Sequence, residues 1–221
     1  MNILGIDTST AASAACVLRA DGQVFEVEPS AAALEQAPAH SRHLMPGVAR
    51  CLEQAGLAYS DLEVVAVGAG PGAFTGLRIG VATARALARA HGAELRSVSS
   101  LAALALCIEA PVALPLIDAR RGEVFAALYE EGRPTMEPFA AAPDEVVARV
   151  GAAGKTLLAA GDGAVRFREV LERAGIRVAP AGSRTHVVRG SSVCRLATTV
   201  TSTEPESVLP DYLRLPDAKP L

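Results

Sequence analysis

The sequence lacks the paired cysteines that mark redox dithiols and zinc knuckles. Cys16, Cys51, Cys107 and Cys194 lie far apart, form no CxxC unit, and read as reduced core thiols of a cytosolic protein. Basic residues are not in excess either. With 21 Lys and Arg against 24 Asp and Glu the net charge is −3, so no global positive field draws the chain to nucleic acid or an anionic membrane, and an RNA role requires a partner. No basic segment precedes the first apolar residues, Ile3 and Leu4, so no signal peptide is expected. Long apolar runs are missing as well. The nearest, residues 101–117, is broken by Glu109, Pro111 and Pro115, which makes it a core helix followed by a buried strand and not a membrane span.

Half of the 221 residues are apolar, enough for one large domain or two small ones around real cores. Strand patterns fall at residues 2–6, 14–18 and 23–28, with Ala20-Asp21-Gly22 as a hairpin turn. Leu44, Val48, Leu52 and Ala55 then recur at helical spacing before a Gly56 cap. A strand at 64–67, an Ala-rich helix at 77–91 and a helix from Ser97–Ser100 through Cys107 complete the first half. The order then restarts. Residues 112–117 form a buried strand ending in Asp118, followed by strands at 123–129 and 135–139, a helix at 144–150 capped by Asp144, and a strand at 156–160. The glycine turn Gly161-Asp162-Gly163, a helix at 167–174, a strand at 177–179, a helix at 191–200 and an ordered tail at 210–215 follow. Ile3-Leu4-Gly5-Ile6-Asp7 matches Leu114-Pro115-Leu116-Ile117-Asp118, so the simplest architecture is α/β, with two duplicated lobes, 1–109 and 110–221, of the ribonuclease H-like, actin-like ATPase fold.

Residues 68–80, Gly-Ala-Gly-Pro-Gly-Ala-Phe-Thr-Gly-Leu-Arg-Ile-Gly, join a strand to a helix, with Thr75 as the expected N-cap. A row of helix-start N–H groups could hold an anion. The loop lacks both the Gly-Lys-Ser/Thr ending of a P-loop and the GxGxxG spacing, so on these residues alone a tight structural turn outweighs phosphate binding. Asp7 and Asp118, at matching strand ends, would face each other across a cleft and could hold a magnesium nucleotide, with Thr8, Ser9, Gly70 and Gly72 beside it. Against this, Ala119-Arg120-Arg121 follows Asp118 in place of a phosphate turn, and no second glycine-rich segment could cradle adenosine. The reading that each Asp serves its own turn is therefore favoured for Asp118, and an autonomous ATPase is not expected. His40 and His43 share a helix start, but no Glu or Asp at zincin spacing joins them, so no metal is expected; His91 and His186 have no evident partner, and no Ser, His and Asp triad is legible. Along the helix that follows, Gly76, Gly80, Ala84 and Leu87 form one stripe and Leu77, Val81, Ala84 and Ala88 another, while Ile79, Ala82 and Ala86 make the far side small and apolar. Such a helix is buried on more than one side, in part against another helix, with Arg78, Arg85 and Arg89 on a solvated face.

Asp7-Thr8-Ser9-Thr10, His40-Ser41-Arg42-His43-Leu44-Met45-Pro46, the run from Gly70 to Gly80, Asp118-Ala119-Arg120-Arg121-Gly122-Glu123-Val124-Phe125 and Pro210-Asp211-Tyr212-Leu213-Arg214 occur in this order. Together they resemble, over the whole chain, the bacterial TsaB family, the threonylcarbamoyladenosine biosynthesis subunits formerly grouped with M22 peptidases. One departure is Ala73, where the family usually carries Ser. The resemblance implies a non-catalytic subunit supporting the catalytic homologue TsaD, with the ATPase TsaE, in placing a threonylcarbamoyl group on N6 of adenosine 37 in tRNAs reading codons that begin with A. It further implies a cytoplasmic protein with no membrane contact, a homodimer when TsaD is absent, and tRNA met through the complex. No cofactor would be bound by the chain alone; ATP and magnesium would enter at the complex interface. The metal-binding histidines of TsaD have a different spacing and are not transferred to His40 and His43. The partner surface is expected on the first-lobe helices, at Leu44, Val48, Leu52, Gly76, Ile79, Gly80, Thr83 and Leu87, so that Gly80→Leu would harm partner binding more than folding. The alternative is a phosphotransferase, an ATPase or an M22-type peptidase using the cleft between Asp7 and Asp118. A stand-alone RNA binder is disfavoured by the acidic balance.

Overall fold

The computed structural model describes residues 1–151 and 157–213. Thr156 of the expected strand and Arg214 and Leu215 of the expected tail lie outside these residues. Strands β1 (Ile3–Asp7), β2 (Ala14–Leu18) and β3 (Val24–Val27) pair antiparallel, and β4 (Val64–Gly70) and β5 (Glu94–Ser99) add on in parallel, giving the order β3-β2-β1-β4-β5. The second sheet repeats this plan. In it β6 (Val112–Arg120), β7 (Glu123–Glu130) and β8 (Arg133–Ala141) pair antiparallel while β9 (Leu157–Ala160) and β10 (Arg177–Val178) are parallel, in the order β10-β9-β6-β7-β8. The duplication read from sequence is therefore a duplication of hydrogen-bond ladders. The sequence reading missed β5: only Leu95 and Val98 of it are buried, and parallel pairing to β4 holds it in place of an apolar run.

Helices α1 (His40–Ala55) and α2 (Phe74–His91) cover one face of the first sheet, where Leu4, Ile6, Val65 and Val67 pack with Leu44, Val48, Val81 and Ala84. The opposite face belongs to a second core. There Ile3, Val64 and Ala66 pack with α3 (Ser100–Ala105), α7 (Gly190–Ala197) and residues of the second sheet such as Ile117 and Phe125. Helices α4 (Pro143–Val150), α5 (Asp162–Arg166) and α6 (Arg168–Arg173) close the far side of the second sheet over Leu114, Leu116 and Val124. Burial on both faces explains why β1 and β4 read as near-continuous apolar runs. Two helix starts differ from expectation. The N-cap of α4 is Ala142, with Pro143 opening the helix ahead of Asp144, and α5 begins directly at Asp162, so the second glycine turn is already helical.

The first sheet ends with β5 and the second begins with β6, but the packing crosses between the two halves of the chain. Helix α7 follows the second sheet in sequence and lies on the first. Its backbone comes so close that a Cβ on Gly190 would sit 2.7 Å from the Cys16 nitrogen, and one on Gly5 would sit 2.6 Å from both Cys194 Sγ and the Gly190 oxygen. Glu26 of β3 caps the helix start by accepting the Ser191 N–H (3.0 Å) and hydroxyl (2.8 Å), and it pairs with Arg189 at 2.6 Å. Arg96 donates to the Ala197 oxygen at the other end (2.9 Å). The tail also returns to this lobe, where Thr203 N–H reaches Leu95 O (2.9 Å) and Asp211 N–H reaches Ala69 O (2.7 Å).

Gly190→Ala should therefore overpack the seat of α7 and lower stability by roughly 1–3 kcal/mol, read as a fall in urea midpoint. Gly47→Ala in α1 is the control: its new methyl would meet Ala15 at an ordinary 3.6 Å. A better helix former there should leave stability unchanged or raise it by up to about 1 kcal/mol.

Candidate functional site

Past the end of β1 the chain turns under α2 and fills the glycine loop from below. The Thr8 hydroxyl donates to Gly76 O (2.7 Å) and the Ala73 N–H donates to Ser9 O (2.7 Å). A Cβ on Gly72 would lie 2.6 Å from Ser9 Cβ, and Cβ atoms on Gly76 and Gly80 would collide with Thr8 O and Thr8 Oγ1. These glycines are thus required by the close approach of Thr8 and Ser9, both fully buried. The helix cap is Ala73, extended and without a side-chain acceptor, and not Thr75, which lies exposed in the first turn. The start is fixed by the Ala73 amide bound to Ser9, a contact that no local pattern encodes.

Asp7 is closed off in the same way. Its Oδ1 accepts the Ser9 N–H (2.8 Å) and hydroxyl (2.6 Å), its Oδ2 accepts the Ser100 hydroxyl (2.7 Å), and Gly68 lies directly against it. With 1% exposure, burial raises its pKa above the ordinary carboxylate value, partly offset by the Ser9 and Ser100 donors. Asp118 has a different setting. Strand β6 runs on past it to Arg120, and the chain reverses through Arg120, Arg121 and Gly122 at φ of 65°, 54° and 85°. Asp118 Oδ1 accepts the Arg120 N–H (2.9 Å), and Oδ2 pairs with Arg120 (3.1 Å) and Arg166 (2.8 Å). Asp162 Oδ1 accepts the N–H groups of Asp118 (3.0 Å) and Gly163 (2.9 Å), and burial pushes its carboxyl up to about 6.

Asp118, Asp162, Arg120 and Arg166 line a cavity of about 260 Å³ that Leu34 and Glu35 close from the first half; Asp7 is not among its walls. The expected pair of facing carboxylates is thus corrected: Asp7 is spent on its own turn, with Thr8, Ser9, Gly70 and Gly72 in the packing around it. Gly70 lies under the tail, its would-be Cβ 2.8 Å from Asp211 O. His40 is buried with Nδ1 2.8 Å from Ser13 Oγ, whereas His43 is exposed. Among the described residues no group of three or more His, Cys, Asp or Glu could hold a metal ion. The two histidines without sequence partners also find places: His91 stacks on Tyr59 at 5.3 Å, and His186 Nδ1 accepts the Gly161 N–H at 3.1 Å.

The expected partner residues separate into two groups. Leu44, Val48 and Leu52 pack on the first sheet and Gly76 and Gly80 on Thr8, so these five are core and not surface. Helical spacing shows which residues share a face, not whether that face turns inward. Ile79, Thr83 and Leu87 are half-buried along the flank of α2, and Thr75, Arg78, Ala82, Ala86 and Arg89 form its exposed side. The contact between two of the quoted motifs had no sequence signal: Phe74 and Tyr212 pack at 5.1 Å between ring centres, and Arg78 lies 3.9 Å over Phe74 while donating to the Tyr212 hydroxyl (3.1 Å). Those contacts join the tail to the start of α2.

Comparison with known proteins agrees along the chain. A family model described as TsaD, tRNA N6-adenosine threonylcarbamoyltransferase, matches residues 29–221. An uncharacterized Mycobacterium tuberculosis protein is 35% identical over 219 residues, 99% of this chain and 94% of its own. The tRNA threonylcarbamoyladenosine biosynthesis protein TsaB of Bacillus subtilis is 30% identical over 228 residues, 99% of this chain and 96% of its own. A Mycobacterium leprae protein is 39% identical over 144 residues, 65% of this chain but only 40% of its own length. A solved Pseudomonas aeruginosa protein described as similar to the peptidase YeaZ superposes with a TM-score of 0.78 at 31% identity, covering 96% of this chain and 99% of its own. YeaZ from the same organism gives 0.77 at 28%, covering 96% and 100%. The ethanolamine utilization protein EutJ of Carboxydothermus hydrogenoformans, at 15% identity and a TM-score of 0.51 over 87% of this chain and 89% of its own, shares the fold alone. The fold is the duplicated actin-like one.

Two outcomes follow from the geometry. Gly80→Leu forces a side chain into Thr8, so it should lower the melting temperature, at a cost of roughly 1–3 kcal/mol; a variant that melts like the parent would return the stripe to the surface. Asp162 binds its proton more tightly when folded, at about 6 against 3.8, so its contribution to stability falls as pH rises through that window. Asp162→Asn keeps an acceptor for the Asp118 and Gly163 amides. It should flatten the stability curve between about pH 4 and 6, measured as urea midpoints against the parent; superposable curves would show that the proton belongs elsewhere.

Proposed function

The chain belongs to the TsaB family, and from that membership we propose that it is a non-catalytic scaffold subunit of the machinery that installs threonylcarbamoyl on N6 of adenosine 37 in tRNA. On this proposal it supports the catalytic TsaD, with the ATPase TsaE joining them, and pairs with a second copy of itself when TsaD is absent. ATP and magnesium enter at the interface of the complex, and the tRNA substrate implies a cytoplasmic protein. No helix among the described residues is long and apolar enough to cross a membrane.

The observation that carries the proposal is Asp7, whose two oxygens are taken by Ser9 and Ser100 inside a closed wall. A phosphotransferase or a peptidase working between Asp7 and Asp118 needs that carboxylate free and facing the cleft. What the first lobe does offer outward is the α2 surface, where Ala82 and Ala86 are exposed between the flanking Ile79, Thr83 and Leu87, with Met45 exposed on α1. Small side chains there let a second helix approach to roughly 8–10 Å.

Reconstituted tRNA modification with TsaD and TsaE should depend on adding this chain. Ala82→Arg and Ala86→Arg should each weaken TsaD association by about tenfold or more, about 1.4 kcal/mol, with melting temperature unchanged. Full modification without the chain, or undiminished association in both variants, would remove the support for a scaffold.

A further inference from the structure

A cavity of about 520 Å³ opens where the β2–β3 hairpin meets α3 and α7, with no wall from α1 or α2. Its volume lies within the range of small-molecule sites. Leu18, Val24 and Leu106 give it an apolar side from the first half, and the chain around α7 gives it a polar one.

That polar side holds more hydrogen-bond donors than the protein uses. Arg189 spends Nε and Nη2 on Glu26 and Glu28, which leaves Nη1 without a described partner. Among the described residues Arg184 makes one bond, from Nη1 to Glu28 at 2.6 Å, and its remaining N–H groups have none. Arg195, exposed on α7, pairs with nothing among the described residues. The Thr185 hydroxyl accepts from Ser183 (2.9 Å), so its own proton is available. Glu109 is the one carboxylate on the wall, exposed at the rim. Glu26 and Glu28 stand behind the arginines and hold two of the guanidinium groups in place. Such planar forks match a ligand group with several acceptor oxygens and negative charge.

We propose that this cavity binds a small phosphate ester, its phosphate held by Arg184, Arg189 and Arg195 and its organic part against Leu18, Val24 and Leu106. The shared chemistry is a phosphate on a compact organic group, whether a nucleotide or a sugar phosphate. Bound there, the ester joins the β2–β3 hairpin of the first half to the 184–195 segment of the second, and so stabilises their contact.

The test titrates the full chain by calorimetry with AMP, glucose 6-phosphate, inorganic phosphate and a short single-stranded RNA. At least one ester should bind saturably at submillimolar concentration, and inorganic phosphate about tenfold or more weakly, because it forgoes the apolar wall. The choice between the two esters identifies the source. Arg195→Gln breaks no described contact, so it should leave the melting temperature of the free protein unchanged while weakening the ester by about tenfold or more. The bound ester should also slow alkylation of Cys107, which lines the cavity and is the one cysteine of the four not fully buried. Absence of saturable binding by both esters at millimolar concentration would overturn the proposal. So would affinity unchanged by Arg195→Gln, an unprotected Cys107, or binding of the RNA alone.

Discussion

The structure of the first lobe depends on one steric fit, the seating of Thr8 and Ser9 against a loop and helix stripped of β-carbons. Gly72, Gly76 and Gly80 face that turn, and Gly68 faces Asp7 beside it. From the other side Asp211 crosses over Gly70, so the loop lies between two stretches of backbone. A glycine-rich loop before a helix is the geometry that elsewhere cradles phosphate. Here the protein's own chain occupies one side of it and the tail the other. The same fit buries Asp7, because the turn that enters the loop brings the Ser9 donors onto its carboxylate.

A second constraint ties the halves of the chain together. Helix α7 is held at its start by Glu26 and at its end by Arg96, both from the first sheet, while Gly5 and Gly190 let its backbone touch the strands. The Glu26–Arg189 pair is largely desolvated on the Glu26 side, with 5% and 32% side-chain exposure. Such pairs add little net stability, yet removing one member leaves a buried charge uncompensated. Its role is better seen as registration: it fixes where α7 enters the sheet, and Glu26 and Glu28 together align Arg184 and Arg189 of the neighbouring cavity.

These constraints distribute function over the surface. The cleft carboxylates of the duplicated fold serve as turn and hairpin anchors, Asp7 through serines and Asp118 through arginines. What remains outward in the first lobe is the small-residue side of α2, next to the cluster of Phe74, Arg78 and Tyr212 that brings the tail to the helix start. A subunit that works by contact needs such a face more than it needs an open cleft, and the two are obtained together when the loop is filled from within.

The sequence by itself determined that the two halves repeat a common succession of strands, because the central strands, buried on both faces, are nearly continuous in apolar residues and those runs recur in both halves. It also determined that the residues around Gly70 form a tight turn, since glycine at this density has few other uses in a folded chain. It did not show β5, whose pairing partner β4 supplies what its own pattern lacks, nor the cap of α2, which is set by a hydrogen bond from the Ala73 N–H to the Ser9 carbonyl. The direction of the glycine stripe was equally hidden. Periodicity places Gly76 and Gly80 on one face of a helix, but whether that face meets Thr8 or a foreign helix depends on where the β1–β2 turn travels. The fates of Asp7 and Asp118 followed the same rule: their strands were legible, while Ser100, Arg166 and Asp162, which occupy their surroundings, come from distant segments that only the tertiary structure brings together.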